Sequence, residues 1–384
     1  MRRLSKKLLY NNVISGIERD INSSVIGGAA VLVAQGGEIL LDEARGYSNV
    51  MTGEPLKRDS VFRLASMTKP VTAVAALIAV ERGWFGLYDR ITDYFPEFSD
   101  IYVGRIENSE VVPDHKPAED IRIYNFLTHT SGFMASGELY SLYEAKMPKS
   151  AYLSNEAAVR YCIENNCLTL EPVSRMSYCG YQAYDVVALL IERFSEMKYA
   201  DFVKEEIFAP LGIRDITYHP SEELWARTVT MCDRAVSGMV SVDMGRHTFE
   251  DFPLTYTCAG AGLVGTIGDY HIFAEMLRGR GEYGGVRILK RETFDLLDKP
   301  YVPLDIMGEG AFTSWGLGVR VRVCDPVLPK GCFGWSGAYG THFWVDPEND
   351  IVAIYMKNTR WHDSHGAGKT GRAFERAVYS SFQS

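Results

Sequence analysis

The sequence predicts an α/β fold of the α+β kind: an antiparallel β-sheet flanked by N- and C-terminal helices, with a mostly helical inserted domain. Three observations support this prediction. Strand patterns occur near both ends of the 384 residues, an amphipathic helical pattern lies outside each set of strands, and the middle is rich in helical patterns. Since the chain is too long for one small core, we expect a sheet domain from residues 1–85 and 241–384, and an inserted domain from residues 86–240.

The N-terminal elements are a helix, a hairpin and a second helix. The first helix is indicated by apolar residues at helical spacing, namely Tyr10, Ile14, Ile17 and Ile21. "GAAVLVAQGGEILLDEARGYS" predicts two strands joined by a turn at Gly36 and Gly37. "VTAVAALIAVER", from Val71 to Arg82, is apolar nearly all round and predicts a buried helix that stops at Gly83.

The C-terminal third returns to strand patterns. "WGLGVRVRV" alternates between apolar and polar residues, and "THFWVDPENDIVAIYMK" predicts two strands around the turn at residues 346–350. "GRAFERAVYSSF" closes the chain as an amphipathic helix. These strands and the N-terminal hairpin would form one sheet.

Composition and charge exclude several classes of function. The formal charge of −9 argues against a nucleic-acid partner, which requires a basic footprint. No apolar run approaches the roughly 20 residues that cross a bilayer, and no small-residue cleavage site follows the first helix. We therefore expect a cytoplasmic protein without a membrane partner.

The cysteines and histidines give no support for a metal site or a disulfide framework. No Cys-x-x-Cys pair occurs among the seven cysteines, which are Cys162, Cys167, Cys179, Cys232, Cys258, Cys324 and Cys332. His362 and His365 are close in sequence but lack an evident third ligand. Reduced, mostly buried thiols and no metal are expected.

"HGAGKTG", residues 365–371, invites comparison with a phosphate-binding loop. A Walker-type loop needs glycine where Asp363 stands, and only 13 residues follow Gly371. No strand could follow there to carry a magnesium-binding carboxylate. The sequence therefore predicts no nucleotide site.

Ser66 and Lys69 are the first residues that indicate catalysis. Their i, i+3 spacing at the start of a helix brings hydroxyl and amine to one face, and Pro70 is typical of a first helical turn. A serine is a weak nucleophile without an adjacent base. A helix N-terminus and burial both disfavour positive charge, so the lysine could act as that base. Taken alone, Ser-x-x-Lys is more easily explained as a chance match, because the pattern fixes only two positions.

Further segments make the whole chain similar to a known superfamily. "SMTK" at 66–69, "IRIYNFLTHTSGF" at 121–133, "FAPLGIRDITYH" at 208–219 and "AGAGLVGTIGDYHIFAEML" at 259–277 occur in order. With these segments the chain resembles the serine β-lactamase and penicillin-binding-protein superfamily from about residue 15 to 382. The resemblance implies the fold predicted above and acyl-enzyme chemistry on Ser66, assisted by Lys69, with no cofactor.

The superfamily's second motif, Tyr-x-Asn, corresponds to Tyr178-Cys179-Gly180. The resemblance makes the Tyr178 phenol a proton relay between the nucleophile and the leaving group, with Lys69 favouring the phenolate or sharing its proton. Tyr181 and Tyr184 are nearby rivals, for which packing is the expected role. Gly180 departs from the motif, and the missing asparagine puts recognition of amide substrates in doubt.

The third motif begins an innermost strand that leads into a turn and a second apolar strand. Trp335-Ser336-Gly337 meets this requirement, whereas the literal Lys369-Thr370-Gly371 lies one hairpin later, before the closing helix. The resemblance then implies that the backbone N–H groups of Ser66 and Ala338 bind the oxyanion that forms when the serine attacks. It also makes Ser336, Gly337, Gly180 and Tyr339 substrate-binding residues, with Gly337 letting the substrate lie close to the strand edge.

Trp335 replaces a lysine or histidine that would help to bind a substrate carboxylate. "WSGAYG" resembles the Trp-Gly-Gly form of family VIII carboxylesterases, and an aromatic wall suits an apolar acyl or alcohol group, although simple packing also explains a tryptophan. The sequence thus favours a carboxylesterase acting on small esters. A β-lactamase, a D-amino-acid peptidase or amidase, an acyltransferase and an inactive binding protein remain alternatives.

The remaining candidate residues are one histidine and three aromatic side chains. His129 lies in a framework turn and is expected to be structural, because the superfamily's serine is served by lysine and tyrosine. Tyr140, Tyr143 and Phe133 could line the entrance to the site, and packing accounts for them equally well. Nothing in the sequence indicates the oligomeric state.

Overall fold

The structure is a computed structural model that describes residues 2–165, 168–235, 238–308, 311–360 and 369–383. Its helices are α1 Lys6–Asn22, α2 Lys69–Glu81, α3 Ile123–Leu127, α4 Glu138–Lys146, α5 Asn155–Glu164, α6 Gln182–Ser195, α7 Tyr199–Val203, α8 Glu222–Ala226, α9 Ile267–Arg278, α10 Arg291–Phe294, α11 Leu304–Met307 and α12 Thr370–Tyr379. Its strands are β1 Gly28–Gln35, β2 Glu38–Asn49, β3 Glu54–Pro55, β4 Val61–Arg63, β5 Val103–Glu107, β6 Glu110–His115, β7 Met231–Ala235, β8 Gly238–Val242, β9 Val264–Thr266, β10 Glu282–Tyr283, β11 Val286–Arg287, β12 Thr313–Trp315, β13 Arg320–Arg322, β14 Phe333–Gly337, β15 Thr341–Asp346 and β16 Ile351–Lys357.

An antiparallel sheet combines strands from both ends of the chain. Its order is β12-β13-β14-β15-β16-β1-β2-β3, so the N-terminal hairpin β1–β2 joins the C-terminal strands through β1 and β16. The β1–β2 turn uses Gly36 and Gly37, with φ of +62° and +77°, values that glycine adopts without steric cost. The predicted fold class is confirmed.

Helices cover both faces of this sheet because its central strands are apolar on both sides. Alternate residues of β1 face opposite ways: Val31 and Val33 pack in a cluster with residues of α1 and α12, whereas Ala30 and Leu32 pack with residues of α2 and α9. The terminal helices that the sequence predicted therefore close one face.

Helix α2 lies on the other face, within the larger core. Pro70 is in its first turn, and the side chains from Lys69 to Ala79 are all buried, as the apolar pattern predicted. The same apolar cluster includes Phe126 of α3 and Leu190 of α6. Packing is thus continuous from the sheet into the segment that follows it.

Two features of the chain differ from the sequence prediction. The segment 86–240 contains the hairpin β5–β6 and most of the hairpin β7–β8, whose mixed polar residues show no clear alternation. "WGLGVRVRV" contains the last residue of β12 and the whole of β13, because the chain turns at Gly318 with φ of +68° and packs against the backbone of Lys69. The division into two domains at residues 86 and 240 stays a prediction.

The described residues include six of the predicted thiols and all twelve helices given above. The six cysteines among the described residues form no disulfide, and all but Cys324 are buried. Cys167, His362 and His365 lie outside the described residues. Within the described ranges, no helix has the length and apolar character needed to span a bilayer. The cytoplasmic location stays a prediction.

Candidate active site

Ser66 lies in a tight turn between a strand and a helix. Strand β4 leads into a 3-10 turn, Ala65–Thr68, which runs directly into α2. Ala65 has a φ of +46°, an unfavourable value for a residue with a side chain. This strained turn presents the Ser66 hydroxyl at the head of a buried helix.

Lys69 is buried and its side-chain nitrogen faces three oxygen atoms. Nζ lies 3.2 Å from Ser66 Oγ and 2.9 Å from the carbonyl oxygen of Gly260, and it also donates to the carbonyl oxygen of Gly180. Carbonyl oxygens only accept hydrogen bonds, so two N–H groups are committed to them. The third position on Nζ points at Ser66, where a proton can be given or taken.

Tyr178 completes a contact triad with Ser66 and Lys69. Its hydroxyl donates to Ser66 Oγ at 2.8 Å, and Lys69 Nζ lies 4.9 Å from the centre of its ring. The rivals Tyr181 and Tyr184 are placed differently: Tyr181 donates to Glu144 at 2.8 Å, and Tyr184 donates to the carbonyl of Leu127 at 2.9 Å. The structure therefore brings Tyr178, and neither rival, to the serine.

His129 holds Tyr178 in position. Its ring centre is 4.4 Å from that of Tyr178, and its Nδ1 accepts from the backbone N–H of Cys179 at 3.2 Å. Burial and the nearby charge of Lys69 hold the pKa of His129 well below its usual value, so the ring is neutral. This contact agrees with the structural role expected for His129.

Trp335 touches the triad through Tyr178. The indole Nε1–H donates to the Tyr178 hydroxyl at 3.2 Å, and the ring centres are 5.6 Å apart. An indole N–H can only donate, so the Tyr178 oxygen accepts from Trp335 while its own hydroxyl donates to Ser66. Trp335 thus combines an aromatic wall with a hydrogen bond to a candidate catalytic group.

Strand β14 ends at Gly337 beside the serine turn, and Ala338 follows it. A Cβ atom at Gly337 would lie 2.2 Å from the carbonyl oxygen of Leu64 and 2.2 Å from Thr341 Oγ1. Glycine is therefore required for the approach of β14 to the serine turn, a different reason from the substrate access that the sequence suggested. Ala338 is exposed, and no backbone hydrogen bond of the described residues uses its N–H group.

Two predicted substrate-binding residues need correction. The Ser336 hydroxyl bonds His342 Nδ1 at 2.8 Å, and His342 in turn contacts Glu375 of α12, so the side chain points to the opposite face of the sheet from Trp335. Tyr339 is 2% exposed, and its hydroxyl donates to Glu250 at 3.0 Å. Successive side chains of a strand point to opposite faces, which explains why Ser336 faces away from Trp335. Tyr339 is too deeply buried to contact a substrate directly.

Gly180 leaves space at the position of the missing asparagine. A Cβ atom there would meet no atom within 4 Å. The site is therefore open beside Gly180. The carbonyl oxygen of Gly180 accepts a hydrogen bond from Lys69.

The sequence reasoning missed Arg320 and Trp315. The Arg320 guanidinium carbon lies 4.4 Å from the centre of the Trp335 ring, and its buried Nε has no hydrogen-bond partner among the described residues. Burial and the charge of Arg322 lower the pKa of Arg320 to about 10. Trp315 packs edge-on against Trp335, with ring centres 4.5 Å apart. The only sequence signal was an arginine and a tryptophan in "WGLGVRVRV", one strand away from β14.

Comparisons with known proteins identify the family of this chain. The family described as Beta-lactamase matches residues 14–376. The chain is 29% identical to Protein Rv1367c of Mycobacterium tuberculosis (strain ATCC 25618 / H37Rv) over 365 residues, which cover 89% of this chain and 88% of that protein. It is 26% identical to Esterase EstB of Burkholderia gladioli over 388 residues, which cover 92% and 91% of the two chains.

A solved structure shows the same fold. EstCE1, described as a hydrolase with promiscuous acyltransferase activity, superposes with a TM-score of 0.81 at 22% sequence identity. The superposition covers 97% of this chain and 99% of EstCE1.

Proposed function

The chain belongs to the β-lactamase family, whose relatives include esterases and penicillin-binding proteins, and on this premise we propose that it is a serine carboxylesterase that cleaves small esters. The observation that carries the proposal is the contact triad of Ser66, Lys69 and Tyr178, with Trp335 bonded to the tyrosine. A protein that only binds would not need these three groups in mutual contact.

The first step is attack of Ser66 Oγ on the acyl carbon of the ester. The hydroxyl proton passes to the Lys69–Tyr178 pair, since both groups lie within hydrogen-bonding distance of Oγ. The indole N–H of Trp335 supports negative charge on the tyrosine oxygen as Tyr178 exchanges its proton. The triad therefore activates the nucleophile without help from outside the chain.

The tetrahedral oxyanion would be held by backbone N–H groups of Ser66 and Ala338. Each such donor typically lowers the barrier by about 2.7–4 kcal/mol. Tyr178 gives its proton to the alcohol oxygen as the C–O bond breaks, leaving an acyl group on Ser66. Water then attacks the acyl carbon, loses a proton to the same pair, and Ser66 regains its proton when the acid leaves. Every proton in this scheme has a side chain that can receive it.

The preference for esters rests on two features of the site. Trp335 provides an aromatic surface where a cation would bind a substrate carboxylate, and Gly180 has no side-chain amide to bind a substrate amide. The similarity to EstB, an esterase by name, supports the same choice.

Arg320 favours a second candidate function. Its guanidinium stacks on Trp335 and its buried Nε is unpaired among the described residues, so it could attract a substrate carboxylate. A β-lactam or a D-amino-acid peptide has such a group. If kcat/KM for nitrocefin exceeded that for short-chain p-nitrophenyl esters, this second candidate would replace the first.

The serine assignment is tested by Ser66→Ala. The variant should lose hydrolysis of p-nitrophenyl butyrate, and its intact mass should show no acyl adduct or fluorophosphonate label. Ser15→Ala, an exposed serine of α1, is the matched control and should keep full activity. Wild-type turnover by Ser66→Ala would exclude Ser66 as the nucleophile.

A further inference from the structure

A cavity of about 580 Å³ is lined by five aromatic and four charged residues, together with Met147 and Pro253. We call it the aromatic cavity, and the lining residues that matter here are Tyr140, Tyr152, Tyr181, Phe249, Phe252 and Glu144. Its rings pack closely: the Tyr152 and Phe252 centres are 4.3 Å apart, and those of Tyr181 and Phe252 are 5.3 Å apart. Of the entrance candidates from the sequence, only Tyr140 lines it.

The aromatic cavity adjoins the acyl side of the site. Tyr181 directly follows Gly180, whose carbonyl holds Lys69, and Ala65 packs in the same cluster as Tyr181. Because Tyr178 must protonate the leaving alcohol, the alcohol faces Tyr178 and Trp335. We place the acyl group on the side of Tyr181, whose neighbour Gly180 contacts Lys69.

A carboxylate is fixed at the wall of the aromatic cavity. Glu144 Oε1 accepts from the hydroxyl of Tyr140 at 2.5 Å and from the hydroxyl of Tyr181 at 2.8 Å. Burial raises the pKa of both phenols, so they stay neutral donors. Both bonds go to one oxygen, so the other carboxyl oxygen of Glu144 has acceptor positions left for a ligand.

The balance of charge around the aromatic cavity is negative. Glu144, Glu250 and Asp251 line it with one cation, Lys149, whose Nζ lies 2.8 Å from Asp251. Glu144 therefore has no cation of its own among these lining residues. Aromatic faces and a carboxylate together are the groups that bind organic ammonium ions, whereas an anionic acyl group would be repelled.

We propose that the aromatic cavity binds an organic ammonium group on the acyl part of the substrate. This inference rests on the proposed esterase function and specifies its substrate class: esters of ammonium-bearing carboxylic acids. Glu144 is the specificity-determining residue, and the aromatic residues that line the cavity provide the surface against which the cation lies.

The kinetic test uses two esters that differ in one atom. p-Nitrophenyl 4-(trimethylammonio)butanoate has nitrogen where p-nitrophenyl 5,5-dimethylhexanoate has carbon, and each rate is divided by the rate of hydrolysis in hydroxide alone. We expect about a tenfold higher corrected kcat/KM for the ammonium ester, within the range of cation–π and carboxylate contacts. Glu144→Gln should remove this preference.

Glu138→Gln provides a matched control, since Glu138 is an exposed residue of the same helix, α4. It should keep the preference. Equal corrected rates for the two esters in the wild type, or a preference that survives Glu144→Gln, would overturn the inference.

Binding separates this inference from the esterase proposal. Choline and 3,3-dimethylbutan-1-ol, which again differ by nitrogen and carbon, are titrated calorimetrically into Ser66→Ala. Tighter binding of choline, reduced by Glu144→Gln, supports the inference even if no ester is cleaved. Equal affinity contradicts it, even if neutral esters are cleaved rapidly.

Discussion

At the scale of single residues, the site depends on the contacts of one serine oxygen and one lysine nitrogen. Two carbonyls fix Lys69 Nζ and leave its third position for Ser66, while Tyr178 approaches the same hydroxyl from another part of the chain. His129 and Trp335 then hold the phenol from two directions. The chemistry is therefore set by positions of individual atoms that aromatic packing keeps in place.

Tyr178→Phe tests the proton relay. Removing the hydroxyl should lower kcat for p-nitrophenyl butyrate by about 10²–10⁴-fold, the usual contribution of a general acid–base group, with little change in KM. Tyr184→Phe is the control, because its ring also faces Lys69 but its hydroxyl bonds Leu127. It should lose about 1 kcal/mol of stability and keep its activity. Equal losses of activity in the two variants would argue against a relay through Tyr178.

At the scale of elements, the site depends on how closely strand β14 approaches the serine turn. Leu64 lies one residue before that turn, and its carbonyl accepts from Thr341 Oγ1 at 2.9 Å, beside Gly337. There is no room for a side chain at this crossing. The same strand carries Trp335 on one face and Ser336 on the other, so its register decides which residues can reach a substrate.

Gly337→Ala is expected to disturb both stability and activity. Its Cβ would overlap the carbonyl oxygen of Leu64, so β14 and the serine turn must move apart. Overpacking of this kind typically costs about 1–3 kcal/mol, and the displaced Ala338 N–H should lower kcat. Chemical denaturation and ester hydrolysis measure the two effects.

Gly180→Ala is the matched control for this change, because its Cβ would meet open space. It should unfold at the same denaturant concentration as the wild type. If Gly337→Ala were equally harmless, the close crossing of β14 and the serine turn would be excluded.

At the scale of the whole molecule, distant segments meet around α2 and enclose polar groups in the core. Asp185, in the first turn of α6, is fully buried and accepts from the backbone N–H of Ala259 at 3.0 Å and from the hydroxyl of Tyr256. Burial raises the pKa of Asp185 from 3.8 to about 7. The folded protein therefore holds this proton at pH values where the unfolded chain has lost it.

The sign of the resulting pH dependence follows from linkage. Between about pH 4 and pH 7 the folded state binds more protons at Asp185 than the unfolded state, so its contribution to stability falls as the pH rises. Asp185→Asn should remove a pH dependence of the unfolding free energy of at most roughly 1.4 kcal/mol per pH unit in that window. Unfolding free energies from pH 5 to pH 8 should show the wild type losing stability relative to the variant. Asp201→Asn, an exposed carboxylate of α7, should show no such difference.

The sequence by itself determined the fold class and the local parts of the site. Periodicity placed the hairpin β1–β2, the strands β15 and β16 and the helices α1, α2 and α12, because hydrophobic spacing depends on neighbours in the chain. The i, i+3 spacing of Ser66 and Lys69 is local in the same way. The position of Tyr178 came from a resemblance to a superfamily, and its contact with Ser66 is a fact of the structure.

Only the tertiary structure decided which side chains face the site. Ser336 points to the far face of the sheet, Tyr339 is buried, Arg320 stacks on Trp335, and Gly337 is required by Leu64. Each of these depends on contacts between residues far apart in sequence, whose distances are set by strand register and core packing. No local pattern carries that information, because the same residues in another register would face other neighbours.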